Sequence, residues 1–96
     1  MYAVLTQFTV APGMWAQMAK ATDALYATLK TYKGFKQALF FADNDTGRYN
    51  SLVVWDLKAN GDAAYKVIAP KTQEALGALL KAPMVRQAYE TYEPKA

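Results

Sequence analysis

Residues 34–58 constrain the fold of this chain more than any other stretch. Two apolar runs, residues 35–42 and 49–57, flank the turn-forming segment Asp-Asn-Asp-Thr-Gly at 43–47. The runs are rich in Val, Leu, Phe, Tyr and Trp, which favour strands, whereas Asn, Asp and Gly tolerate the left-handed angles of a tight reversal. The stretch therefore predicts an antiparallel β-hairpin, in which Asp43 lies opposite Arg48 as a favourable cross-strand charge pair.

Both faces of this predicted hairpin are largely apolar. One face carries Lys36, Ala38, Phe40, Ala42, Tyr49, Ser51, Val53 and Trp55, and the other carries Phe35, Gln37, Leu39, Phe41, Asn50, Leu52 and Val54. A hairpin with one solvated face would alternate polar and apolar residues more regularly. We therefore expect each face to be covered by another part of the structure.

The segments around the hairpin supply two more strands and the helices. Residues 2–10 predict a strand with Val4, Thr6, Phe8 and Val10 on one face, and residues 14–32 predict a helix. Asn60 or Asp62 is suited to cap a second helix that runs to about residue 68. Pro70 is expected to interrupt it before a third helical segment at residues 71–81. Residues 84–93 predict a last strand.

This order of elements predicts a single ferredoxin-like α+β domain spanning residues 1–96. Four antiparallel strands would form one sheet with the helices on one face. The chain then has nothing left to cover the second face. We expect a homodimer in which two sheets enclose a dimeric α/β barrel, although a large protein partner of another kind would cover the face equally well.

Composition narrows the classes of function. The 96 residues are 53% hydrophobic, contain no cysteine and carry a net charge of +3 that is spread along the chain. No apolar run approaches the roughly 20 residues that span a bilayer, and no secretion signal is evident at the N-terminus, so we expect no membrane partner and a cytoplasmic location. A nucleic-acid surface would need a broader basic stripe, so no nucleic-acid partner is expected.

Four short motifs are notable along the chain: the strand exit at 8–13, the Gly34-Phe35 turn, the segment Val53-Val54-Trp55-Asp56 before a helix, and the stop Lys81-Ala82-Pro83. Together they resemble the antibiotic biosynthesis monooxygenase-like proteins of the dimeric α/β-barrel superfamily. The resemblance implies a pocket between helices and sheet that holds a flat hydrophobic molecule. Two chemistries are prominent in that superfamily: cofactor-free oxygenation of aromatic polyketides and quinols, and oxidative haem breakdown.

Haem breakdown fits this sequence poorly. The haem-degrading members use a helical histidine to ligate iron, and this chain has no histidine. The oxygenating members pair an Asn with a Trp four residues later, and here those positions are Ser51 and Trp55. The resemblance therefore implies cofactor-free chemistry at Trp55, with Ser51 in the place of the Asn. Tyr65, on the predicted second helix, is a further catalytic candidate because its phenol could hydrogen-bond a substrate oxygen. The turn at 43–47 lacks the later ligands of a calcium loop, so no metal site is predicted.

Each candidate residue also has an ordinary structural explanation. Trp55 offers a flat wall and one N–H donor, or is simply a core residue. Arg86 could hold a substrate anion, or form a surface ion pair with Glu90. The predicted substrate-binding residues are Thr6, Tyr26, Phe40 and Arg86. Three functions stay open: a monooxygenase or quinol oxidase, a non-catalytic protein that binds or senses a hydrophobic ligand, and a structural dimer with a filled core.

Overall fold

The computed structural model describes residues 1–95 and has the predicted ferredoxin-like α+β fold. Its elements, in chain order, are β1 (Tyr2–Thr9), α1 (Trp15–Leu29), β2 (Phe35–Asp43), β3 (Arg48–Trp55), α2 (Lys58–Leu76), a short 3₁₀ helix (Gly77–Leu79) and β4 (Val85–Glu90). The strands form one antiparallel sheet in the order β2-β3-β1-β4. Both helices cover the same face of this sheet.

The hairpin has the predicted register. Asp43 lies opposite Arg48, and the backbone N–H of Gly47 donates to the carbonyl of Asp43 at 3.0 Å. The side chain of Asp43 also accepts a hydrogen bond from the N–H of Asp45. The carbonyl of Gly47 accepts from the N–H of Val10 at 2.8 Å, so this turn also fixes the chain just after β1.

The predicted faces are right except at the start of β2. A register shift lies between Phe35 and Gln37, and Phe35 pairs with Trp55. The two rings pack edge-on with centroids 6.0 Å apart on the helix side, whereas Lys36 is exposed. The assignment of Phe35 and Lys36 to their faces was therefore wrong, because a bulge changes the alternation of side chains locally.

The predicted break at Pro70 is also wrong, because α2 is one helix that contains this proline. An interior proline removes one backbone hydrogen bond and disfavours the helix by about 3 kcal/mol. Apolar residues on both sides of it, Ala64 before and Leu76 after, are buried. Burial of this continuous stripe outweighs the local preference, since tertiary packing supplies most of the stability of helices in proteins.

Neither Asn60 nor Asp62 caps α2. The helix begins after Leu57, and the carboxylate of Asp56 accepts hydrogen bonds from the side-chain amide of Asn60 at 2.8 Å and from the N–H of Leu57 at 2.6 Å. The hydrogen bond from Asn60 is the main cause that lowers the pKa of Asp56. Asp56 thus holds the turn between β3 and α2, which places α2 over the sheet.

The sheet face opposite the helices leaves large apolar side chains exposed. They are Leu39, Phe41, Val85 and Tyr89, each between 45% and 60% exposed. Within residues 1–95, neither helix is long and apolar enough to cross a membrane.

Candidate functional site

Four of the predicted site residues lie in one row across the helix-covered face of the sheet. Phe40 on β2 pairs with Ser51 on β3, Ser51 pairs with Thr6 on β1, and Thr6 pairs with Arg86 on β4. Adjacent strands lie about 4.8 Å apart, so the row is about 14 Å long. Its side chains change from aromatic through two hydroxyls to a guanidinium.

A cavity of about 290 Å³, here called the Arg86 cavity, lies between α2 and one half of this row. Five of the seven predicted site residues line it: Thr6, Ser51, Trp55, Tyr65 and Arg86. Strand residues four positions apart share a face, which brings Ser51 and Trp55 to the same floor. Tyr65 reaches the cavity from α2, where it is next to the buried Ala64.

The guanidinium of Arg86 is short of hydrogen-bond acceptors. Its carbon Cζ lies 4.2 Å from the centre of the Tyr65 ring, a cation–π contact. Nη2 is 3.7 Å from Oδ1 of Asp62, which is too long for a hydrogen bond. Nε and Nη2 are both buried and have no hydrogen-bond partner among residues 1–95. A buried donor left unpaired is rare and unfavourable, so this arrangement is suited to an acceptor supplied from outside the chain.

Asp62, the residue of α2 that Arg86 faces, forms its short hydrogen bond with Lys58 and not with Arg86. The Nζ atom of Lys58 donates to Oδ2 of Asp62 at 2.5 Å. This hydrogen bond is the largest influence that lowers the pKa of Asp62, and it also raises the pKa of Lys58. Asp62 therefore carries its negative charge at neutral pH. The ion-pair partner of Arg86 comes from α2, and not from Glu90 on its own strand.

A second cavity of about 350 Å³, here called the α1 cavity, lies between α1, α2 and the β2–β3 side of the sheet. Its walls are mostly apolar and include Trp15, Met18, Leu25, Phe40 and Leu76. The two cavities share five lining residues: Phe8, Leu25, Ser51, Ile68 and Thr72. The cavities are therefore neighbours, and Ser51 lies on their common floor.

Trp55 is a core residue that also reaches the Arg86 cavity. It is 3% exposed, and a Cβ atom added at Gly61 would lie only 2.9 Å from its indole ring. Four residues along a strand separate the Cα atoms of Ser51 and Trp55 by about 13 Å. The two residues therefore contact different parts of any ligand.

Tyr26 lines neither of the two cavities. Its ring packs edge-on against Phe35 and Phe40, with centroids 6.1 and 6.3 Å away, and Lys30 lies over it.

Thr72 lines both cavities but was not predicted, because the expected break at Pro70 removed it from the sheet-facing stripe. The helical spacing of Ala64, Ile68, Thr72 and Leu76 was the available signal. Among residues 1–95, no cluster of three His, Cys, Asp or Glu could hold a metal ion.

Solved structures match this fold over nearly the whole chain. No protein-family profile matches the sequence, and no curated protein is similar to it in sequence. A protein from Deinococcus radiodurans, provisionally named an antibiotic biosynthesis monooxygenase, superposes with a TM-score of 0.83 at 15% identity, covering 100% of this chain and 97% of its own. The chain resembles the antibiotic biosynthesis monooxygenase-like proteins in fold.

Two further structures have the same architecture. A monooxygenase from Streptomyces coelicolor, crystallised with the ligand nanaomycin D, has a TM-score of 0.80 at 16% identity, covering 99% of this chain and 90% of its own. The protein Rv0793 from Mycobacterium tuberculosis has a TM-score of 0.79 at 14% identity, covering 99% and 98%. At these identities the likeness establishes the fold, and activity has to be argued from the site itself.

Proposed function

We propose that this chain is a cofactor-independent monooxygenase or quinol oxidase that acts on a small flat aromatic substrate in the Arg86 cavity. One observation carries the proposal: the strand register and α2 bring Thr6, Ser51, Trp55, Tyr65 and Arg86 to one cavity. Cavities of this size are typical of small-molecule sites. The fold shared with monooxygenase-like proteins supports the same class of reaction.

The proposed reaction begins with an enolisable ring such as that of an anthrone. Its CH₂ group loses a proton to water, and the negative charge moves to the ring oxygen. The hydroxyls of Ser51 and Tyr65 donate hydrogen bonds to this oxygen, which are strongest in a site that excludes water. The carbanion adds O₂ and a proton to give a hydroperoxide, which loses water and leaves a carbonyl. One oxygen atom enters the product and the other leaves as water.

The decisive experiment is oxygen uptake by metal-free and flavin-free protein with a panel of anthrones and naphthoquinols. Saturable uptake above the rate of a substrate-only blank supports the proposal, and quinol oxidation would be identified by one hydrogen peroxide formed per quinone. Uptake equal to the blank for every substrate would contradict it. The measurement separates an enzyme from the second candidate, a non-catalytic protein that binds or senses a small hydrophobic ligand.

Replacing Trp55 by phenylalanine tests its proposed role as a hydrogen-bond donor. The smaller ring retains an aromatic wall against Phe35 but removes the indole N–H. We expect the oxygen-uptake rate to fall severalfold or more, since the substrate would lose a hydrogen-bond donor that orients it at a point away from Ser51. An unchanged rate in a folded variant would leave Trp55 only its place in the core.

The second candidate function uses the same cavities without a reaction. The two cavities provide room for a ligand, which favours binding over a purely structural dimer with a filled core. The chain has no histidine to act as a general base near neutral pH. If ligands bind and no oxygen is consumed, binding or sensing is the function.

We also propose that the exposed sheet face pairs with a second copy of the chain. Its side chains Leu39, Phe41, Val85 and Tyr89 form an apolar surface, which neither α1 nor α2 covers because both lie on the other face. Two copies related by a two-fold axis would cover both surfaces and close the two sheets into a barrel. The proposal fits the single-face placement of both helices.

Leu39→Glu is expected to convert this dimer to monomers, because it places a charge within the apolar contact. Leu57→Glu is the matched control, since Leu57 is 61% exposed and Leu39 is 60% exposed, but Leu57 lies outside the sheet at the start of α2. Sedimentation equilibrium measures the mass of each. A monomeric parent chain, or equal effects of the two variants, would contradict the proposal.

A further inference from the structure

The chemistry of the row across the sheet changes steadily from one end to the other. Phe40 lies at the α1 cavity, Ser51 lies at the boundary, Thr6 follows, and Arg86 ends the row on the edge strand. A ligand that follows the row therefore meets an apolar wall, then two hydroxyls, then a positive charge. This order fits a molecule with an apolar body and one anionic end.

From this order we infer that the ligand is an elongated polycyclic carboxylate that lies across the strands. Its carboxylate is bound by Arg86 and its far ring enters the α1 cavity. The reacting oxygen is bound between them, at the hydroxyl of Ser51. The carboxylate is a binding group and does not react. This inference rests on the proposed function only in placing the ligand in these cavities, and it adds the charge, length and direction of that ligand.

The surroundings of Arg86 support a carboxylate as the anionic end. Among residues 1–95 its guanidinium has no acceptor for two buried N–H groups, and the carboxylate of Asp62, 3.7 Å from Nη2, is hydrogen-bonded to Lys58. A planar carboxylate matches the guanidinium in shape and can accept two parallel hydrogen bonds. The Tyr65 ring that covers Arg86 is 45% exposed, so a small rotation of this side chain would admit the ligand.

The length of the ligand follows from the position of the two cavities. Either cavity alone would hold a small ring system, but the shared residues Ser51, Ile68 and Thr72 make the two cavities neighbours. The row that crosses both runs from Phe40 to Arg86. A row of about 14 Å is long enough for a linear three-ring acid. A two-ring acid bound at Arg86 would leave the α1 cavity unfilled and lose the apolar contacts made there.

Binding of anthracene-2-carboxylate, measured by calorimetry, tests the charge. We expect it to bind about tenfold more tightly than the neutral 2-(hydroxymethyl)anthracene, because a charge-assisted pair replaces unpaired donors. Arg86→Gln should remove this preference. Asp62→Asn should strengthen it by about threefold, since the competing negative charge is lost. A parent chain that binds the alcohol as tightly as the acid overturns the inference, as does a preference that survives in Arg86→Gln.

A second comparison tests the length and direction. The parent chain should prefer anthracene-2-carboxylate to 2-naphthoate, because only the longer acid reaches the α1 cavity. Thr22→Phe fills that cavity from α1 and should remove the preference. Ala27→Phe is the matched control on the same helix, at an exposed position that lines neither cavity, and should leave it intact. A preference that is absent in the parent chain, or insensitive to Thr22→Phe, overturns the inference.

These titrations are independent of turnover. If acids bind with the expected pattern and no substrate consumes oxygen, the ligand class stands and the proposed chemistry fails. If anthrones are oxidised but the acid has no advantage over the alcohol, the chemistry stands and the inference fails.

Discussion

Replacing Gly47 by alanine is expected to lower the free energy of unfolding by about 3 kcal/mol, because strain and a steric clash act together. Gly47 is buried in the hairpin turn and has a φ of +74°, a region that L-residues with a Cβ atom disfavour. An added Cβ would also overlap the carbonyl oxygen of Val10. In a domain of this size the melting temperature should fall by roughly 15 °C.

Gly13→Ala is the matched control for the steric part of this effect. Gly13 has a similar φ of +82°, but an added Cβ would have no atom of residues 1–95 within 4 Å apart from its own chain neighbours. Only the backbone strain remains, so we expect the free energy of unfolding to fall by about 1 kcal/mol. Thermal unfolding followed by circular dichroism compares the two variants. Equal losses would show that the clash with Val10 adds nothing to the backbone strain.

Sequence patterns were most informative where local chemistry and tertiary structure agree. The turn at residues 43–47 and the pairing of Asp43 with Arg48 were predicted because turn residues and register are both local properties. Once the register is known, the row from Phe40 through Ser51 follows from strand geometry alone. The similarity to solved structures covers the whole chain, so the predicted fold agrees with known structures beyond the hairpin as well.

Predictions failed where packing outweighs a local preference. Pro70 indicates a helix break when taken alone, but burial on both sides of it maintains α2. The bulge between Phe35 and Gln37 has no sequence signal apart from the size of Phe35, which packs on Trp55. The unpaired donors of Arg86 depend on where Asp62 and Tyr65 lie in space, and no spacing in the sequence reveals that.

Ser51→Leu is expected to abolish most ligand binding without unfolding the protein. Ser51 is 5% exposed and lies on the common floor of both cavities, so a leucine side chain there would occupy the space where they meet. A ligand that crosses this boundary would have to displace it. We expect the affinity for anthracene-2-carboxylate to fall by about thirtyfold, because forcing extra volume into an occupied site is unfavourable by 1–3 kcal/mol.

Ser51→Leu should not destabilise the fold, although it weakens ligand binding. The leucine side chain fills space that is empty in the free protein and buries apolar surface, so the free energy of unfolding should be unchanged or rise by about 1 kcal/mol. Ser51→Ala removes the hydroxyl without filling the cavities, and should weaken binding only severalfold. Calorimetric titration and thermal unfolding of both variants separate these effects. If Ser51→Leu is folded and binds as tightly as the parent chain, the ligand does not lie on this row, and neither the proposed reaction site nor the proposed orientation survives.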